Sequence, residues 1–216
     1  LRYYQRMLDI HQVQVHLNYP VSTEDLQAQG FDHVVVATGI RPRTPHIPGI
    51  DHPMVMGYID AVLGRREIGQ RVAIIGAGGI GFDVAELISH AGPRASQDID
   101  TFAREWGIDF KNHPRGGVTG VQRQVEAASR TVYLMQRKAD PLGKTLGRTT
   151  GWTHKATLAQ RGVHMLNGVE YVRIDDQGLH TLVHGEPRCF EVDSIIVCAG
   201  QEPLAVLHDE LSAAGV

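Results

Sequence analysis

A chain of 216 residues, 42% of them apolar, can bury one sizeable core and lies between one and two domains in length. A formal net charge of −3 gives no electrostatic reason to bind nucleic acid or an anionic membrane. No apolar run approaches the roughly 18 residues of a spanning helix, and the opening LRYYQRMLDIHQ has no signal-peptide apolar core, so the expected compartment is the cytoplasm.

The first segment with buried-strand composition is HVVVATGIRP, His33 to Pro42, which gives a strand, two small residues, a glycine and a proline three positions later. QVQVHLN precedes it and follows a helical stretch. After Gly39 the chain becomes IRPRTPHIPGIDHP, a proline-rich extended run suited to a crossing between domains.

RVAIIGAGGIGFDVAELI, Arg71 to Ile88, carries the strongest chemical signal. Val72 to Ile75 read as a central parallel strand, and Ile80, Val84, Leu87 and Ile88 as the apolar stripe of the helix after it. Between them, Gly76-Ala77-Gly78-Gly79-Ile80-Gly81 satisfies G-x-G-x-x-G in the strand-turn-helix context that gives this pattern meaning. Gly76 permits the tight turn, Gly78 lets the backbone approach a pyrophosphate, and Gly81 lets helix and strand close together. The free N–H groups of the helix start then face the anion.

An acid that reads the adenosine ribose is expected about 20 residues beyond such a turn. Counting lands on Asp98 or Asp100, but SQDIDTFAREWG places Ile99, Phe102 and Trp106 at i, i+3 and i+7 before Gly107, so these aspartates read as helix-start residues. The region from about 91 to 130 is an insertion of mixed charge with a PRGG stretch, to which the sequence assigns no function beyond that of a lid or an inter-domain contact. The next convincing strand is TVYLMQRK, Thr131 to Lys138, which ends on two cations. Arg137 and Lys138 cannot accept a hydrogen bond from a ribose hydroxyl, yet they can donate to a 2′-phosphate, which points to NADPH rather than NADH. The alternative is a solvated basic strand end.

Downstream, Thr149 or Thr150 can cap a helix in which Trp152, Ala156 and Ala159 share a face, with Trp152 expected in the core. Lys144 and Arg148 either reinforce the phosphate site or sit on a plain loop. VEYVRIDDQGLHTLVHGEPRCFEV reads as a three-stranded meander with turns at Gln177-Gly178 and Gly185-Glu186. Cys189 and Cys198 match neither CxxC nor zinc spacing and read as core thiols. The 12 histidines, without HxxxH or HExxH spacing, read as surface or cap residues, so no metal site is expected.

SIIVCAGQEP, Ser194 to Pro203, repeats the pattern of HVVVATGIRP, and RGVHMLNG repeats that of QVQVHLN. Residues 1–47 therefore read as part of an FAD-type domain and its crossover, 48–199 as an NADP-binding domain, and 200–216 as the return. The expected fold class is α/β: a Rossmann-like three-layer dinucleotide-binding domain with a β-meander, inserted in a partial second, FAD-type nucleotide-binding domain.

This plan resembles the two-nucleotide flavoprotein reductases. The strings GGIGFDVAE, EWGID, LMQRK, TTGWTHK, DDQGLH and VCAGQEP, in this order over nearly the whole chain, resemble the C-terminal part of bacterial NADPH-dependent 2,4-dienoyl-CoA reductases, the barrel-plus-flavin reductase family. The resemblance implies that NADPH reduces FAD, that a 4Fe-4S cluster relays electrons, and that FMN delivers hydride to the dienoyl-CoA. The barrel with FMN and the cluster, and the segments that complete the FAD site, are expected outside this sequence as the chain's partners. With no nucleic acid or membrane partner expected, the chain alone would bind NADPH, with no catalytic acid, base or nucleophile of its own. By the same resemblance Gly76, Gly78, Gly79 and Gly81 hold the pyrophosphate, Arg137 and Lys138 the 2′-phosphate, and Thr38, Gly39, Gly200 and Gln201 lie at strand ends that face the flavin. Two alternatives stay open: the electron-entry domain of a related enone or amine reductase, and a non-catalytic NADP(H)-sensing module.

Overall fold

The computed structural model describes residues 1–92, 95–110, 120–125 and 127–215. The PRGG stretch, 114–117, lies outside them. The chain divides into two compact units, Leu1–Arg41 with Pro203–Val216, and Pro42–Glu202, so in sequence the second is inserted within the first.

The first unit opens with α1 (Arg2–Ile10), which buries none of its residues. α2 (Thr23–Gln29) has a full capping box: the Asp25 N–H donates to Ser22 Oγ at 3.2 Å and the Ser22 N–H to Asp25 Oδ2 at 3.1 Å, while Gly30 ends the helix in the left-handed region. The segment 33–36 is not a strand, and Val35 is 89% exposed. β-Branched residues make a strand only where a neighbour supplies ladder bonds and cover, and among the described residues no strand pairs with this run. For the same reason QVQVHLN is not a strand, and Val13 and Val15 are exposed. The short strand β1 (Ile40–Pro42) comes after it.

In the second unit β2 (Val55–Gly57) leads into α3 (Tyr58–Val62), β3 (Arg71–Ile75) into α4 (Gly79–Ser89), and a one-turn 3₁₀ segment into α5 (Ile99–Trp106). β4 (Thr131–Met135), α6 (Gly151–Gln160) and β5 (His164–Leu166) come next. β6 (Val169–Asp175), β7 (Gly178–Val183) and β8 (Glu186–Phe190) form an antiparallel meander before β9 (Ser194–Val197) and β10 (Gln201–Pro203). α7 (Val206–Ala213) belongs to the first unit, where Thr23 Oγ1 donates to Glu210 Oε2 at 3.0 Å.

The main sheet is five-stranded and parallel throughout, in the order β2-β9-β3-β4-β5. Its strands are apolar on both faces because each face is covered. Val72, Ile74, Val132 and Leu134 pack with Phe82, Val84, Ala85, Ile88 and Leu158 of α4 and α6. Ala73, Ile75 and Met135 point the other way, onto Val169, Ile174, Leu179 and Phe190 of the meander. The result is a Rossmann-like α/β domain of three layers, helices, parallel sheet and meander. Its second meander turn has His184 at φ +52° and Gly185 at φ +89°, the two positive values a tight hairpin requires.

Besides the strand expected in HVVVATGIRP, four further expectations need correction. The buried face of α4 is Gly81, Phe82, Val84, Ala85 and Ile88, whereas Leu87 turns outward at 44% exposure, because Phe82 rather than Leu87 fills the space above the sheet. In α5 it is Thr101 and Ala103 that are buried, leaving Ile99 and Phe102 exposed. Trp152 is 61% exposed, since Leu158 is the residue with which α6 enters the core. Cys198 is buried, but Cys189 on β8 is exposed. No helix among the described residues is long and apolar enough to cross a membrane.

Candidate functional site

The glycine turn stands where the sequence places it, between β3 and α4, and its glycines serve two different ends. A Cβ on Gly76, at φ +111°, would lie 2.3 Å from the Cys198 carbonyl oxygen, and one on Gly81 would lie 1.9 Å from the Gly76 oxygen. Those two are demanded by the fold itself. Around Gly78 and Gly79 a Cβ would meet nothing within 4 Å, so the protein's own packing does not require them to be bare. The space above them is what an approaching diphosphate needs. Gly78 is the N-cap of α4 with no side-chain cap bond, and no acid occupies the first turn, so the helix presents uncompensated N–H groups to that space. Residues that fit a diphosphate are thus in place.

β3 and β4 run in parallel register from Arg71↔Thr131 to Ile75↔Met135, and the Gly76 N–H donates to the Met135 oxygen at 2.9 Å. Both strands stop at the same edge, so the glycine turn and the segment after β4 leave the sheet one strand apart, about 4.8 Å. Arg137 and Lys138 are brought to this edge. They lie two and three residues beyond the end of β4, not within the strand, because Gln136 N–H turns to the Leu166 oxygen at 2.9 Å. Both side chains are exposed and neither has an ion-pair partner among the described residues.

The loop that carries them is fixed by residues to which the sequence motifs assign no role. Gln136 Nε2 donates to the oxygens of Lys138 at 3.1 Å and Asp140 at 2.5 Å, Asn167 Nδ2 donates to the Ala139 oxygen at 2.6 Å, and the Gly168 N–H reaches the Lys138 oxygen at 3.0 Å. The Asn167-Gly168 dipeptide is a turn signal that could have drawn attention to this support. Lys144 is tied to Asp140 at 3.2 Å, within its own loop, and Arg148 is exposed.

Gly200 and Gln201 come after β9, whose Cys198 N–H donates to the Ile75 oxygen at 2.8 Å, so they too leave the sheet beside the glycine turn. Gln201 Nε2 donates to the Tyr58 hydroxyl at 3.3 Å, a partner not foreseen in the sequence. Burial pushes the Cys198 thiol up to about 12, which keeps it a neutral core group and not a nucleophile. Thr38 and Gly39 belong to the other unit, where Thr38 Oγ1 donates to the Leu204 oxygen and the Leu204 N–H to the Gly39 oxygen at 3.0 Å. Among the described residues no group of three or more His, Cys, Asp or Glu side chains is placed to hold a metal.

The sequence profile of the pyridine nucleotide-disulphide oxidoreductases matches residues 3–216. The chain belongs to this family. Membership implies binding of FAD and a pyridine nucleotide, and the chain is a pyridine nucleotide-dependent flavoprotein oxidoreductase domain. Among curated relatives it is 26% identical over 186 residues to a metal reductase of Desulforamulus reducens, a match covering 86% of this chain and 26% of the relative. It is 34% identical over 92 residues to a cinnamate reductase of Clostridium sporogenes, covering 43% of this chain and 14% of that one. The fold is shared with a 2-naphthoyl-CoA reductase in complex with 2-naphthoyl-CoA, at a TM-score of 0.67 and 20% identity over 97% of this chain and 26% of the other. The chain therefore spans about a quarter of the length of the metal reductase.

Proposed function

We propose that this chain is the NADPH-binding part of a multi-cofactor flavoprotein and places NADPH for hydride transfer to FAD. In this reading the intact enzyme reduces 2,4-dienoyl-CoA in fatty acid β-oxidation, with FMN and a 4Fe-4S cluster carried by parts outside this sequence. One observation carries the choice of nucleotide: the first charged residues after β4 are two cations without an ion-pair partner among the described residues, beside an open glycine turn, and the nearest acid, Asp140, is tied to Lys144. NADPH supplies the hydride when bound. The backbone N–H groups at Gly78 and Gly79 hold the diphosphate, Arg137 and Lys138 donate to the 2′-phosphate, and Gln136 and Asn167 keep the cationic loop in place. Gly200 and Gln201, which come after β9, face the flavin in this reading, whereas Thr38 and Gly39 do not end a strand because 33–36 does not form one. The protein's share of hydride transfer is placement of one ring against the other.

Support for the dienoyl-CoA assignment comes from the order of the motifs GGIGFDVAE, LMQRK, TTGWTHK and VCAGQEP along the chain. The 34% identity to a cinnamate reductase over 92 residues favours a second reading, in which the acceptor is another conjugated alkene. Turnover of the full-length protein with NADPH and a dienoyl-CoA, set against cinnamate, separates the two.

Calorimetric titration of NADPH and NADH into the parent chain and Arg137→Ala tests the nucleotide reading. Two charge-assisted hydrogen bonds of about 1.5–3 kcal/mol each, reduced by solvent competition, give a preference for NADPH on the order of a hundredfold. Arg137→Ala is expected to weaken NADPH about tenfold and leave NADH unchanged. Equal losses for both nucleotides would mean that the arginine reads something other than the 2′-phosphate.

A further inference from the structure

On the solvent side of the helix layer, α4, α5 and α6 line an open cavity of about 820 Å³. That is in the range of about 300–1,000 Å³ typical of small-molecule sites. None of its lining residues belongs to the glycine turn or to the Arg137-Lys138 loop, so the cavity stands apart from the nucleotide site, and a guest bound there is independent of the proposed function.

Each helix contributes a face that is not used in the core. α4 presents Asp83, Glu86 and Leu87, α5 presents Phe102, Glu105 and Trp106, and α6 presents Trp152 and His154. The aromatic walls are set in place. Phe102 and Trp106 have ring centroids 6.2 Å apart at 36°, and Trp152 is anchored by its Nε1–H donating to the Thr149 oxygen at 3.0 Å. Three large rings at one opening make an unusual surface for water to cover.

The charge around these rings is unbalanced. Among the described residues Arg161 is the one Lys or Arg in the lining, and its Nη1 is held by the Glu86 backbone oxygen at 3.0 Å. The Glu86 carboxylate is engaged with His154 Nδ1 at 3.2 Å. Asp83 and Glu105 have neither a hydrogen bond nor an ion pair among the described residues. The cavity thus combines π-faces and two unpaired carboxylates. An anion is repelled by this set. A neutral apolar guest would desolvate the carboxylates without compensation. An ammonium ion on a flat apolar body satisfies both features, through cation–π attraction and charge pairing.

We infer that this cavity binds an organic ammonium ion with an aromatic or similarly flat apolar body. Protonated phenethylamine is a suitable probe, and 2-phenylethanol is its neutral counterpart of nearly equal shape. Trp106 and Trp152 are the only two tryptophans of the chain, so intrinsic tryptophan emission reports on this cavity alone. Titration of the chain at neutral pH with the amine is expected to give a saturable change in emission, with an affinity at least tenfold above that of the alcohol. Glu105→Gln and Asp83→Asn are each expected to weaken the amine by about fivefold to tenfold and to leave the alcohol unchanged. Far-UV circular dichroism checks that both variants keep the fold. Equal affinity for amine and alcohol, an unsaturable response to the amine, or unchanged amine binding in both variants overturns the inference.

Discussion

Gly78 and Gly81 stand three residues apart in one turn, yet replacing each by alanine should give opposite outcomes. At Gly81 the new Cβ would sit 1.9 Å from the Gly76 oxygen and 3.4 Å from Leu134 Cδ1. An ordinary carbon–oxygen contact is about 3.3 Å, so the start of α4 must withdraw from β3 by more than about 1 Å. That movement loosens Phe82, Val84 and Ala85, which pack with Val72 and Ile74. Overpacking of this kind costs about 3 kcal/mol, the upper end of its usual range. At about 2–4 °C per kcal/mol for a chain of this size, Tm falls by roughly 6–12 °C. At Gly78 the backbone has φ −80° and ψ −174°, a conformation open to any L-residue, and the Cβ would meet nothing within 4 Å. Gly78→Ala should therefore leave Tm nearly unchanged, because about 0.4–1 kcal/mol of lost freedom in the unfolded chain is offset by alanine being a poorer N-cap than glycine. The same methyl occupies the diphosphate space, so NADPH binding should weaken by at least about tenfold. Differential scanning calorimetry and NADPH titration on the two variants decide the matter. If Gly78→Ala bound NADPH like the parent chain, the open space would not be the diphosphate cradle. If its Tm fell along with that of Gly81→Ala, the division of the turn into structural and ligand-facing glycines would be wrong.

Side chains on the meander give two more expected outcomes. His180 Nε2 at 2.8 Å, helped by the Gln177 N–H and Arg173, holds the Asp175 carboxyl down at about 2, below its ordinary 3.8. A carboxyl depressed in the folded state adds stability in full above the unfolded value and loses it as pH falls through the folded one. Acid unfolding followed by circular dichroism should draw this contribution out between pH 3.8 and about 2, and His180→Ala should return Asp175 toward 3.8 in an NMR titration. Tyr171 has a buried hydroxyl without a hydrogen-bond partner among the described residues, and its pKa is raised by that burial against the opposing charge of Arg137. Tyr171→Phe removes an unsatisfied group, so denaturant unfolding should show a stability that is unchanged or higher by up to about 1 kcal/mol. A loss of more than that would reveal a partner for the hydroxyl.

The nucleotide half of the fold was legible because its signals are local. The β3-turn-α4 unit rests on a run of β-branched residues, three glycines at fixed spacing and a helical stripe, each of which acts within a few residues. The meander could be read for the same reason, since its turns need positive φ at positions next to or within the Gln177-Gly178 and Gly185-Glu186 dipeptides. Less legible was which face of a short helix turns inward. Leu87, Phe102 and Trp152 all fit an apolar stripe, but burial went to the residues facing the sheet or held by its edge, and the large side chains were left to line a cavity that no periodicity describes. The supports of the cationic loop, Gln136 and Asn167, escaped notice because amide side chains bonding to loop carbonyls leave no pattern in sequence.

The contrast between 33–36 and Ser194–Val197 makes the same point from composition alone. His-Val-Val-Val and Ser-Ile-Ile-Val have similar β propensity, yet the first is unpaired with Val35 89% exposed, and the second is buried at all four residues. β9 lies between β2 and β3, so both of its edges are paired and both of its faces are covered, by Ile196 against the helices and Ile195 against the meander. A strand is a property of its neighbours as much as of its residues, because each unpaired backbone group in a dry environment costs about 1–3 kcal/mol and only a ladder removes that cost. The repeated pattern of HVVVATGIRP and SIIVCAGQEP therefore marks two segments with the same preference for a central position in a sheet, of which β9 has two strand neighbours and 33–36 has none among the described residues.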